Sequence, residues 1–211
     1  MNIALIDYRA GNLTSVRKAL GAVGAEVYTP EASGELEKAD GIIVPGVGHF
    51  NVTATLDTAW RDAVHAHVVD RKRPLLGICL GLQWLFEGSE EAPDLPGIGL
   101  LPGRCHLLRA KGLKVPHVGW NTLDTIAEGA TAQTAGPRVL RDVPDQAYAY
   151  FTHSYVAPVT DACVATTTHG KTFAAVVERG LVMGAQFHPE KSGDVGLAIL
   201  RNFVTLAEEC R

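Results

Sequence analysis

Short apolar runs alternate with helix-spaced apolar positions through the first half of the chain. Residues 3–6 (Ile-Ala-Leu-Ile) form a run bounded by polar residues, which predicts a strand buried on both faces. Behind Asn12, a residue suited to capping, Leu13, Val16, Ala19, Leu20 and Val23 recur at helical spacing and predict a helix to about Val23. Short strands follow at 26–28 and 41–44, the second running into Pro45-Gly46-Val47-Gly48. A helix is predicted over 52–69, a strand over 74–78 and a further helix over 80–86. Strands alternating with helices imply a parallel sheet covered on both faces.

The pattern changes in the second half. Residues 101–182 read mainly as short strands between turn residues, with candidates at 104–108, 148–152, 162–167 and 173–178. Residues 124–146 are poor in aliphatics and rich in Ala, Thr and Gly, which predicts a surface excursion. A last helix over 192–209 carries Val195, Leu197, Ile199, Leu200, Phe203, Val204 and Leu206 and is expected to pack on the sheet. The expected fold is α/β: an open, mostly parallel sheet with helices on both faces and antiparallel additions in the second half. No linker, repeat or low-complexity tract interrupts it, so residues 1–211 are expected to form one domain.

Composition narrows the function classes. A net charge of −4 without a basic block argues against nucleic acid as main partner. The N-terminal residues read as a strand rather than a signal peptide, and no apolar run approaches the roughly 18 residues of a membrane span. A soluble, cytoplasmic protein is expected. Cys79, Cys105, Cys163 and Cys210 are scattered and form no C-x-x-C pair, so neither a disulfide framework nor a zinc site is expected. No metal or cofactor is expected either. His65 and His67 read as exposed helix residues, since a spacing of two does not share a helix face.

One cysteine differs from the rest. Residues 74–83 run Pro-Leu-Leu-Gly-Ile-Cys-Leu-Gly-Leu-Gln, an apolar strand entering Gly-x-Cys-x-Gly at a helix start. This is the pattern of a nucleophile elbow with sulfur in place of oxygen. The thiol of Cys79 would sit at a helix N-terminus, whose partial positive charge favours thiolate, and the Leu80 amide could face a developing oxyanion. A buried structural thiol remains the competing reading. Near the C-terminus, Gln186-Phe187-His188-Pro189-Glu190 places an imidazole and a carboxylate two residues apart, able to project together from extended chain. A carboxylate beside a histidine fixes its tautomer and favours its charged form. Alone, His-x-Glu is more often a pair of surface charges. Pro45-Gly46-Val47-Gly48 could aim an N–H into a pocket, or be an ordinary turn. All three pieces follow predicted strands, and open α/β sheets bind ligands beyond the carboxyl ends of their strands.

Together these segments resemble the class I (triad) glutamine amidotransferases. Within that family they are similar to the glutaminase subunits of imidazole glycerol phosphate synthase. The subfamily resemblance rests on Asp7-Tyr8 with Gly11-Asn12-Leu13, Pro45-Gly46-Val47-Gly48, Pro116-His117-Val118-Gly119-Trp120-Asn121, Tyr150-Phe151-Thr152-His153-Ser154-Tyr155 and Phe187-His188-Pro189-Glu190-Lys191-Ser192, in order along nearly the whole chain. Arg9 stands where the family often has Gly, and Leu82 where it often has Met. The resemblance implies hydrolysis of glutamine by Cys79, with His188 as base and Glu190 orienting it. It implies an oxyanion hole at Leu80, Val47 and Gly48, in a loop that rearranges before it works. It implies Gly48, Gln83, His153, Ser154 and Tyr155 around the bound glutamine. It implies transfer of ammonia to a (β/α)8-barrel cyclase partner in histidine biosynthesis, with Pro116, His117, Trp120, Asn121 and Lys191 at the interface or in its coupling. By composition alone, residues 116–121 could equally be core and turn, and Lys191 a solvated charge. The glutaminase of another biosynthetic amidotransferase, and a non-catalytic regulatory subunit of the same fold, are the competing functions.

Overall fold

The computed structural model describes residues 1–126 and 136–211. The strands are β1 (Asn2–Leu5), β2 (Glu26–Tyr28), β3 (Gly41–Gly46), β4 (Leu75–Cys79), β5 (Gly88–Ser89), β6 (Ala92–Pro96), β7 (Arg104–Leu107), β8 (His117–Thr125), β9 (Ala147–His153), β10 (Tyr155–Val156), β11 (Cys163–His169), β12 (Lys171–Arg179) and β13 (Val182–Ala185). The helices are α1 (Leu13–Ala22), α2 (Thr58–His65), α3 (Leu80–Trp84) and α4 (Gly193–Glu209).

Nine of these strands form one sheet in the order β2-β1-β3-β4-β13-β12-β11-β8-β9. Pairing is parallel from β2 to β13 and antiparallel from β13 to β9. The expected α/β sheet with antiparallel additions is therefore the observed one. Alternation along the parallel strands divides the core in two. Ile3, Leu5, Ile43, Leu76 and Ile78 face Val16 and Leu20 of α1 and Ile199, Leu200 and Phe203 of α4. Ala4, Ile6, Ile42, Val44 and Leu75 face Val64 of α2 and Leu82 and Trp84 of α3. A second, four-stranded sheet, β10-β7-β5-β6, stands beside the carboxyl end of the first. The chain switches from one side of β1 to the other between β2 and β3, the kind of place where such sheets bind ligands.

Three expectations need correcting. The helix over 52–69 is broken: a 3₁₀ segment, Phe50–Thr55, ends at Leu56, and Asp57 restarts the chain as α2 by accepting from the Trp60 N–H at 3.2 Å. Beyond α2 the helix widens over Ala66–Asp70. That wider turn rotates His67 inward, so His67 is fully buried, with Nε2 at 3.3 Å from the Pro74 carbonyl. His65 stays exposed. The excursion at 124–146 is only partly such. Residues 127–135 lie outside the described residues. Asp124 and Thr125 complete β8, and the short turn Arg138–Leu140 buries Val139 and Leu140 in the core. Buried Glu178 of β12 fastens that turn, accepting from Arg138 Nε at 3.0 Å and the Val139 N–H at 2.9 Å. Asn202 of α4 donates to the Val139 and Arg141 carbonyls.

Candidate active site

β4 ends at Cys79 and α3 begins at the next residue. Cys79 itself holds φ +53°, ψ −104°, a conformation that side chains rarely adopt. The glycines on either side are demanded by contact. A Cβ at position 81 would lie 1.7 Å from the Val44 carbonyl oxygen, and one at position 77 would lie 2.6 Å from that of Gly81. Strand β3 and the first turn of α3 thus pass too close for any side chain, and the elbow closes only with glycine there. The thiol is buried. It lies 3.9 Å from the Thr152 carbonyl, and Gln186 Nε2 approaches it at 3.8 Å.

On the side of β4 away from β3 lies β13, in register Ala185 to Ile78. It delivers Gln186, Phe187 and His188 beside the elbow. His188 Nδ1 and Glu190 Oε1 are 2.8 Å apart, with both side chains buried. Extended alternation is not what joins them: His188 is extended, and Pro189–Lys191 is a 3₁₀ turn that folds Glu190 back. Ser192 fixes this turn by donating to the His188 carbonyl at 2.7 Å and accepting from the Tyr150 N–H at 3.0 Å. The His188 N–H donates to the Tyr150 carbonyl at 2.9 Å.

With Nδ1 committed to Glu190, Nε2 is the atom left for proton transfer. It is buried and has no hydrogen-bond partner among the described residues. Burial alone would lower the His188 pKa. Facing a Cys79 thiolate, with Glu190 behind, it is instead held up at about 9. The ring is thus built to carry a proton at neutral pH once the thiol has given one up. Cys105 and Cys163 differ: burial pushes the Cys105 thiol far up and that of Cys163 to about 12.

A cavity of about 330 Å³ opens on the thiol. Its wall includes Val47, Gly48, Leu80, Gln83, His153, Ser154 and Tyr155, all singled out from the sequence for the oxyanion hole or the substrate. The wall also includes Glu91, Pro116 and Thr152. Glu91 carried no local signal. It sits between β5 and β6 of the small sheet and is anchored by the Phe50 N–H, which donates to Oε2 at 2.7 Å. Gln83 is only partly free, because its Nε2 donates to the Tyr155 carbonyl at 2.9 Å. At Gly48, φ is +101°, the left-handed backbone that suits glycine in this turn. The Val47 N–H does not point at the thiol: it donates to the Ala10 carbonyl at 3.3 Å.

The segment at 116–121 splits across the sheet. Val118 and Trp120 point outward and are more than half exposed, and the Trp120 ring lies 5.9 Å from Tyr150, edge to face. Lys191 is exposed, its Nζ 5.9 Å from the same Tyr150 ring. His117 faces the other way and is buried, stacked on Phe151 and His169. Its Nδ1 lies 3.2 Å from His153 Nε2, and Asn121 Nδ2 lies 3.4 Å from His117 Nε2. His153 Nδ1 in turn lies 3.1 Å from the Tyr155 carbonyl. One proton assignment satisfies the chain, with Asn121 donating to His117, His117 to His153 and His153 to Tyr155, every ring neutral. Burial lowers the pKa of His117 to about 4 and that of His153 to about 3, in keeping with that assignment. Among the described residues no group of three His, Cys, Asp or Glu side chains could hold a metal ion, and no helix is long and apolar enough to cross a membrane.

Known proteins resemble this chain over most of its length. The family model of the class-I glutamine amidotransferases matches residues 4–207. The chain is 43% identical to the imidazole glycerol phosphate synthase subunit HisH of Synechococcus sp. (strain JA-2-3B'a(2-13)), over all of this chain and 95% of that one. It is 45% identical to the subunit of the same name from Gloeobacter violaceus, over 98% of this chain and 90% of that one. A solved structure described as a glutamine amidotransferase superposes with a TM-score of 0.73 at 21% identity, covering 97% and 98% of the two chains, a likeness of fold. Elbow, buried imidazole–carboxylate pair, sheet and whole-length similarity converge, and the chain belongs to the class I glutamine amidotransferase family.

Proposed function

We propose that this chain is the glutaminase subunit of an imidazole glycerol phosphate synthase, with residues 1–211 acting as one domain. The observation that carries the chemistry is the unpartnered Nε2 of His188, buried beside a thiol on a strained elbow and backed by Glu190. Cys79 Sγ gives its proton to Nε2 and attacks the side-chain amide carbon of glutamine. The oxygen that gains the electron pair is met by the Leu80 N–H and by an N–H of the Val47–Gly48 turn. His188 then protonates the departing nitrogen, the carbon–nitrogen bond breaks, and ammonia leaves a γ-glutamyl thioester. Water attacks the thioester with His188 as base, glutamate leaves, and the thiol is restored.

Gly48, Gln83, His153, Ser154 and Tyr155 shape the glutamine pocket in this reading, and Glu91 offers a carboxylate to the ammonium end of the amino acid. The pocket and the partner face share strand β9, which suits delivery of ammonia across that face to a (β/α)8-barrel cyclase. Trp120 and Lys191 touch the partner directly, while His117 and Asn121 act through the hydrogen bonds to His153. Because Val47 is tied to Ala10, the isolated chain is a slow glutaminase and the ligand-loaded partner frees the turn. The test is glutamate release from L-glutamine by the chain alone and with the cyclase carrying its phosphoribosyl ligand. A large rise on adding partner and ligand is expected, together with loss of turnover in Cys79→Ala. Full turnover by the lone chain would sink the coupling, and retained turnover in Cys79→Ala would sink the mechanism.

A further inference from the structure

The loop after β1 sends the ring of Tyr8 into the core beneath the turn that follows β3. The hydroxyl is buried and has no hydrogen-bond partner among the described residues. Its neighbours are specific. A Cβ on Gly46 would fall 1.8 Å from the Tyr8 oxygen and 2.9 Å from the Cβ of Leu80, so the hydroxyl occupies the space a side chain at 46 would need. It is wedged between the turn and the first residue after Cys79. Buried tyrosines normally find a partner for the hydroxyl, and leaving one unpaired is costly. Burial, with the Cys79 charge adding to it, raises the Tyr8 pKa, so the group stays a protonated donor.

Gly46, whose carbonyl begins the 46–47 peptide, lies directly against this hydroxyl. In the present state the N–H of that peptide, on Val47, donates to the Ala10 carbonyl, on the same loop that carries Tyr8. For that N–H to meet an oxyanion the peptide must turn over. A peptide is planar and trans, so turning it exchanges the directions of its N–H and its C=O. The Gly46 carbonyl would then face the 8–10 loop. The Ala10 carbonyl has no proton to give it, whereas Tyr8 has. We propose that Tyr8 is a positioning residue for the oxyanion turn: its hydroxyl donates to the Gly46 carbonyl once the 46–47 peptide has turned, replacing the lost Val47–Ala10 bond. The free hydroxyl of the resting state is the acceptor-less half of that bond. This rests on the reading that the Val47–Gly48 turn supplies the second oxyanion donor.

The experiment is Tyr8→Phe in the assembled synthase, with the cyclase subunit saturated with its phosphoribosyl ligand. Four quantities are read: kcat and KM for glutamine hydrolysis, the rate of Cys79 alkylation by iodoacetamide, and Tm. Expected are a fall in kcat of about tenfold, the effect of one transition-state hydrogen bond, an unchanged KM and alkylation rate, and a Tm no lower than wild type. A merely structural hydroxyl would lower Tm and alter thiol reactivity, and either change overturns the proposal. A fully active Tyr8→Phe in a complex whose wild type is active overturns the proposal alone. A wild-type complex without glutaminase activity overturns the functional reading and this proposal with it.

Discussion

The backbone of Cys79, at φ +53° and ψ −104°, is strained by of order 1–3 kcal/mol for any residue with a Cβ. Glycine reaches that conformation freely and gives back only about 0.5–1 kcal/mol in chain entropy. Cys79→Ala and Cys79→Gly are both expected to lose turnover. The glycine variant should nonetheless unfold a few degrees higher than the alanine variant, at about 2–4 °C per kcal/mol for a chain of this size. Equal or reversed melting temperatures in calorimetry would mean the elbow is unstrained. The elbow was legible because its glycines and its cysteine are neighbours in sequence. Glu91, Ser192, Gln186 and Tyr8 were not given these places, since their partners lie far along the chain: Ser192 meets Tyr150, Glu91 meets Phe50, and Gln186 meets Cys79. No local pattern encodes such pairings.

At the scale of elements, the parallel half was readable because its strands are continuous apolar runs that need cover on both faces. The break at Leu56 was missed because apolar spacing carries across it. The Asp57 side chain that caps α2 was the available signal. Strand β8 was hidden for a different reason. Gly119, Asn121 and Asp124 have low strand propensity, and the pairing with β9 overrides it. That pairing brings His117 beside His153, and the widened turn after α2 brings His67 inside. All three rings are held neutral, with pKa values lowered by burial to about 4 for His117, about 3 for His153 and about 4 for His67. In the unfolded chain each titrates near 6.5. Between those values the unfolded state binds more protons, so this stability is present above about pH 6.5 and is lost as pH falls toward 4. The slope reaches roughly 1.4 kcal/mol per pH unit for each ring that stays neutral. Urea midpoints at pH 7.5, 6 and 5 should therefore decline, less steeply in His67→Gln than in wild type. A flat profile would mean these rings titrate normally.

At the scale of the whole molecule, the antiparallel end of the sheet leaves an apolar face largely exposed among the described residues. Val118, Trp120 and Tyr148 are 58%, 56% and 60% exposed, on the adjoining strands β8 and β9. Register sets Trp120 against Tyr150, Val118 against Thr152 and Thr122 against Tyr148, so these side chains share one face. Thr152 also lines the cavity above Cys79. A partner seated on this face would cover exposed aromatic surface and close over the cavity that opens on Cys79. Trp120 stands in the middle of the patch, and large aromatics in such positions dominate binding energy. It contributes little to the chain's own core, since more than half of it faces solvent. If the proposed cyclase partner docks here, Trp120→Ala should weaken that association by at least about tenfold, equivalent to about 1.4 kcal/mol. Its melting temperature as a free chain should stay within about 2 °C of wild type, because the change removes only a mostly exposed ring and its edge contact with Tyr150. Titration calorimetry against the proposed cyclase partner separates the two quantities. Unchanged affinity would place the partner on another face and leave the exposed tryptophan unexplained. A large loss of melting temperature would mean that Trp120 supports the β8–β9 pair itself rather than the assembly.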